Sequence, residues 1–162
     1  MASAPDGRTP GTDSVRGGIE RELASVRQPL QEASTLPGRF YHDPAIYRQE
    51  LQTIFSKMWL CVGREEEIEK PGDYLTRTVG GDSVIVVRDT DGGVNAFHNV
   101  CRHRGSRLLS ESSGSGLRHL QCPYHAWTYG LDGALRVAPH MEDARDFDRS
   151  QFGLNRVRLE RW

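Results

Sequence analysis

Two short stretches hold the residues that could do chemistry: Cys101-Arg102-His103 and Cys122-Pro123-Tyr124-His125. Each sets one thiol beside one imidazole, and 18 residues lie between His103 and Cys122. Thiolates suit iron–sulfur clusters and zinc, while neutral imidazoles suit iron, zinc and copper. Two of each permit two kinds of centre. One is a two-iron, two-sulfide cluster in which imidazoles replace two of the four thiolates. A neutral ligand in place of a negative one leaves the reduced cluster less negatively charged, so an added electron costs less. The other is a structural Cys2His2 zinc site. The C-x-H spacing of the first pair is unusual for zinc, where C-x2-C and H-x3-5-H dominate. The cluster, and with it single-electron transfer, is the leading expectation.

Such a centre needs two loops held at one end of a rigid scaffold, and the pattern supplies one. Tyr74–Val79, Ser83–Arg88 and Val94–Val100 read as strands, with turns at Gly80-Gly81 and Asp89–Gly93. Arg118–Gln121, Trp127–Tyr129 and Ala134–Val137 read as shorter strands, with a hairpin turn at Leu131-Asp132-Gly133. Each ligand pair follows a strand. Ser110–Gly116 reads as a polar loop, and Val157–Trp162 alternates as a strand does. Ahead of the strands, Asp43-Pro44 has the chemistry of a helix start, followed by Ile46, Tyr47, Leu51, Ile54, Phe55 and Met58 at helical spacing. The expected fold is mainly β: an antiparallel sandwich with a small cluster-binding subdomain and one N-terminal helix. Residues 1–38 read as a disordered extension with a possible short helix over Ile19–Val26, and residues 39–162 as the domain.

The bulk numbers set limits. With 36% apolar and 27% charged residues the chain can build one modest core. A formal net charge of −1 gives no reason to expect a nucleic-acid partner. No run reaches the roughly 18 apolar residues of a membrane span, and the N-terminus has no leader pattern, so a cytoplasmic protein is expected. Three cysteines without an export signal point to metal ligation rather than a disulfide framework. Cys61, between Leu60 and Val62, reads as a buried inert thiol.

The two ligand boxes, Cys101–Gly105 and Cys122–Trp127, closely resemble those of the Rieske domain of ring-hydroxylating oxygenase α-subunits. The flanks agree: Ile54-Phe55 with Trp59, Val62-Gly63-Arg64, Pro71-Gly72-Asp73-Tyr74 and Phe97-His98-Asn99-Val100. The resemblance implies three stacked antiparallel sheets. It also implies a [2Fe–2S] cluster with Cys101 and Cys122 on one iron and His103 and His125 on the other. Trp127, Tyr124, Arg104 and Gly105 would surround it, although Trp127 also reads as plain core packing, and Tyr124 reads either as a donor to a cysteine sulfur or as packing alone. Respiratory-chain Rieske proteins have a disulfide across the ligand loops where this chain has Ser106 and Tyr124, and a Gly-Ser step where it has Ala126-Trp127. Fewer hydrogen bonds to the cluster imply a potential at the low end of the range, about −150 mV.

In that family a C-terminal domain holds a mononuclear non-haem iron, and electrons arrive from a ferredoxin or flavin reductase. They cross to a neighbouring subunit of a homotrimer, where oxygen hydroxylates an organic substrate. His42, His98, His119 and His140 do not compose such an iron site, so this chain alone is expected to transfer electrons without hydroxylating, as a truncated piece of an oxygenase. A stand-alone Rieske ferredoxin and a zinc-stabilised structural module are the alternatives. Arg102, Arg107 and Arg118, near the ligand loops, form a possible docking face for an acidic donor.

Overall fold

The computed structural model describes residues 12–141 and 143–162. The expectation of a disordered stretch over 1–38 therefore lies partly outside the described residues. Contacts divide the chain into two units, residues up to 50 and residues 51–162.

In the first unit, helix α1 runs Thr12–Leu23, overlapping the short helix expected over Ile19–Val26 but starting earlier. Arg39 donates from Nε and Nη2 to the two carboxylate oxygens of Glu22, both at 2.6 Å. A 3-10 turn, Gly38–Tyr41, leads to helix α2, Pro44–Glu50. The helix starts where its chemistry says: Asp43 Oδ1 accepts from the Ala45 N–H at 2.8 Å, and Pro44 takes the first position, where no N–H is needed.

The second unit opens on a π-helical turn, Leu51–Phe55, which breaks the α-helical register expected to run on to Met58. Ile54, Phe55, Met58 and Trp59 stay exposed. Strands β1 (Tyr74–Val79), β2 (Asp82–Arg88), β3 (Val94–His98) and β4 (Ser113–Gly114) form an antiparallel sheet in the order β3-β2-β1-β4. Strands β5 (Leu120–Gln121), β6 (Thr128–Tyr129) and β7 (Leu135–Val137) form a second antiparallel sheet. The described residues thus hold two sheets, not three. The polar Ser/Gly loop contributes β4, which pairs with Tyr74 and Leu75.

Strand β2 explains the packing. Val84-Ile85-Val86-Val87 is apolar at every position because both of its faces are covered. Ile85 and Val87 join Phe97, Leu120, Tyr129 and Leu135 between the two sheets. Val84 and Val86 join Ile68, Leu75 and Ala96 on the other side, with Val157 and Leu159 against them. Burying each such side chain contributes about 1.5–3 kcal/mol. The C-terminal alternation is therefore real, yet among the described residues it forms no named strand: an isolated bridge joins Arg156 to Phe97, flanked by His98 N–H donating to Asn155 O and Val157 N–H to Ala96 O, both at 2.9 Å. Gly133, in the β6–β7 turn, has φ 84° and its missing Cβ would strike the Phe97 ring, so the turn admits no side chain there.

Candidate metal centre

The first cysteine follows the four-stranded sheet through Asn99 and Val100, and the second follows β5 of the other sheet. The two loops share one hydrogen-bonding scheme. The Cys101 N–H donates to Ser106 O (2.8 Å) and the Gly105 N–H to Cys101 O (3.0 Å). The Cys122 N–H donates to Trp127 O (2.8 Å) and the Ala126 N–H to Cys122 O (3.0 Å). Each loop also places a left-handed residue four positions after its cysteine, Gly105 (φ 71°) and Ala126 (φ 56°). Glycine takes that conformation without strain, whereas alanine costs roughly 1–2 kcal/mol.

These turns bring all four candidates together. Cys101 and Cys122 are buried, and their side chains lie within hydrogen-bonding reach of each other. The half-buried rings of His103 and His125 meet at 4.8 Å with an interplanar angle of 65°. The Nδ1 atoms of both histidines are buried and have no hydrogen-bond partner. Among the described residues no three His, Cys, Asp or Glu side chains surround a single ion position. The set sorts as a sulfur pair and a nitrogen pair, which is the demand of a two-iron unit. Two unpartnered lone-pair donors beside two buried thiols fit a [2Fe–2S] cluster.

The protonation states follow from the surroundings. Burial pushes the Cys101 thiol up, against hydrogen bonds from the Tyr129 hydroxyl and the His103 N–H. Burial also raises Cys122, but the Tyr124 and His125 N–H groups, with help from Cys101 and the Ser106 hydroxyl, outweigh it and hold that thiol below its usual value. Burial, with His125 and the Arg104 charge nearby, lowers His103 and so favours the neutral imidazole that ligation requires.

The surrounding residues divide. Trp127 is buried, its ring parallel to His103 (4.8 Å, 7°) and packed on Phe147 and Phe152. Tyr124 is exposed and its ring lies 3.7 Å from that of His125, a packing contact. The hydroxyl at a cysteine sulfur is that of fully buried Tyr129, 3.3 Å from Cys101 Sγ, which also accepts from the Arg102 N–H at 3.0 Å. Ser106, read in the sequence only as a missing cysteine, contributes a hydroxyl that lowers the Cys122 thiol. Arg102 is half-buried and donates to Asn155, whereas Arg104, Arg107 and Arg118 are exposed. Arg118 and His119 line a shallow surface cleft with Gln121 and Thr128. Cys61 is exposed rather than buried, because the extended chain turns Val62 inward and its neighbour outward.

Tyr129→Phe removes one hydrogen bond to a sulfur whose negative charge grows on reduction. A loss of about 1 kcal/mol is expected, which lowers a one-electron potential by roughly 40 mV; a redox titration against the unaltered protein checks it.

Two sheets joined at a mouth of paired thiols and imidazoles describe an iron–sulfur electron-transfer domain. The Rieske [2Fe-2S] domain family matches residues 58–148, and the chain belongs to it. The carnitine monooxygenase oxygenase subunit of Escherichia coli is 42% identical over 132 residues, 82% of this chain and 35% of that protein. The glycine betaine monooxygenase oxygenase subunit of Pseudomonas aeruginosa is 44% identical over 140 residues, 86% and 32%. Among solved structures, naphthalene 1,2-dioxygenase from Rhodococcus sp. aligns with a TM-score of 0.79 at 31% identity, over 90% of this chain and 32% of that one. The chain spans about a third of the length of the curated relatives it matches. No helix among the described residues is long and apolar enough to cross a membrane.

Proposed function

We propose that Cys101 and Cys122 hold one iron of a [2Fe–2S] cluster and His103 and His125 the other, and that the domain, residues 39–162, relays single electrons within a Rieske-type oxygenase. The two buried, partnerless Nδ1 atoms beside two buried thiols carry this reading. When bound, the cluster supplies a site that accepts and releases one electron. The residues do the rest. Backbone N–H groups and the hydroxyls of Tyr129 and Ser106 offset charge on the sulfurs. The core between the sheets excludes water, and the half-buried histidines reach the outside, where an electron can pass.

In the complete protein the electron would come from a ferredoxin or flavin reductase. It would go to a mononuclear non-haem iron in a further domain, within a homotrimer, for hydroxylation of an organic substrate. Inter-subunit electron transfer is described for the quaternary ammonium Rieske monooxygenase, 39% identical over 79% of this chain with a TM-score of 0.72. Relatives named for carnitine, glycine betaine and choline favour a quaternary ammonium substrate for the whole enzyme. Anaerobic purification with iron and sulfide analysis, then low-temperature EPR after dithionite, tests the reading. A colourless protein containing zinc would refute it.

Exposed Arg107 and Arg118 belong to the proposed donor-docking face. Changing both to Glu is expected to slow reduction by an acidic ferredoxin roughly tenfold at low salt, with the difference shrinking as ionic strength rises; stopped-flow rates across a salt series measure it.

A further inference from the structure

Buried polar atoms almost always have a partner, and a buried donor without one costs about 1–3 kcal/mol. Among the described residues three buried side-chain nitrogens lack one: His103 Nδ1, His125 Nδ1 and Trp127 Nε1. They are not scattered. The His103 ring lies 4.8 Å from that of His125 and 4.8 Å from that of Trp127, so all three belong to one run of contacting rings. Ligation to iron accounts for the two imidazoles. It cannot account for the indole, whose N–H only donates and has no lone pair to offer a metal.

The indole N–H therefore needs an acceptor, and its protein neighbours offer poor ones. Phe147 and Phe152, with ring centroids at 5.7 and 5.9 Å, present only π faces. The sulfurs of a [2Fe–2S] unit carry negative charge and accept hydrogen bonds, and the indole lies against His103, one of the rings that would hold such a unit.

We infer that Trp127 Nε1–H donates a hydrogen bond to a sulfur of the cluster, making Trp127 a residue that sets the potential as well as packing the core. The bond strengthens as the sulfurs gain negative charge, so it favours the reduced state. This inference rests on the ligand assignment proposed above and adds a residue to it.

Trp127→Phe keeps an aromatic ring against His103 and deletes only the donor and part of the indole. The equilibrium constant for reduction should fall about fivefold, roughly 40 mV at 59 mV per tenfold for one electron. A direct measurement needs no variant at this position. Protein grown on [15N]indole, with Trp59→Phe and Trp162→Phe so that only Trp127 carries label, should show a 15N coupling in pulsed EPR of the reduced cluster. Absence of that coupling in protein with a normal reduced-cluster signal overturns the inference alone and leaves the ligand assignment standing, and so does an unchanged potential in Trp127→Phe. If Trp127→Phe fails to hold the cluster, the labelled protein decides. Loss of the signal from unaltered protein overturns both readings.

Discussion

Cys101→Ser and His125→Ala are each expected to abolish the cluster, taking iron and sulfide from about two of each per chain to near zero, with loss of colour and of the reduced EPR signal. Both cysteines are buried, so no solvent ligand can step in at the sulfur pair. A serine hydroxyl in place of the Cys101 thiol would have to lose a far more tightly held proton in a setting that already disfavours charge, since burial pushes even the native thiol up. Removing His125 leaves one imidazole where two are needed. Cys61→Ser supplies the control: that thiol is exposed, with a weak contact to Gly63 O at 3.9 Å, and iron content should not change. Metal and sulfide analysis of the three variants side by side checks the set, and full iron content in Cys101→Ser would remove the ligand assignment.

Asn99→Leu should produce the largest loss of stability. Asn99 is 1% exposed and pins the first ligand loop from inside. Its Oδ1 accepts from the N–H groups of Leu108 (3.0 Å) and Leu109 (2.9 Å), while its Nδ2 donates to Leu109 O (2.7 Å) and Ser83 Oγ (3.1 Å). Leucine matches its size but leaves two backbone donors and a carbonyl without partners. Each unsatisfied buried group costs about 1–3 kcal/mol. A total of roughly 3–5 kcal/mol is expected, about 10–15 °C in Tm for a domain of this size. Ser83→Ala removes one bond of the same network and should cost roughly 1 kcal/mol or less. Because Asn99 stands two residues before Cys101, Asn99→Leu should also reduce the cluster retained after purification. Thermal unfolding of the loaded protein gives the first number and iron content the second; similar losses in Asn99→Leu and Ser83→Ala would refute the pinning role.

The contrast between these sites marks where the sequence was legible. The two Cys/His pairs could be singled out as one candidate constellation because residue type and spacing are themselves the chemistry. Strands β1 and β2 could be read because alternation, or a continuous apolar run, records which faces are covered. Tyr129 looked like one more strand aromatic, since nothing in its neighbours says that its hydroxyl meets a sulfur 28 positions earlier. Tyr124, next to His125, read equally as a donor or as packing, and the tight turn lays its exposed ring over that of His125. Asn99 carries four hydrogen bonds that exist only once the loop has returned past Leu109. The helical stripe from Ile46 to Met58 misled because spacing cannot show that the register breaks into a π turn at Leu51.

The two matching ligand turns hang from different sheets, one after β3 and one after β5. With the cluster seated as proposed, it acts as a rivet between them. The 18 residues between His103 and Cys122 become a closed loop, and a covalent bridge closing a loop of that size is worth roughly 3 kcal/mol against the unfolded chain. Cofactor loading is then a maturation step for the polypeptide itself. Iron scarcity would deplete folded protein along with electron flow.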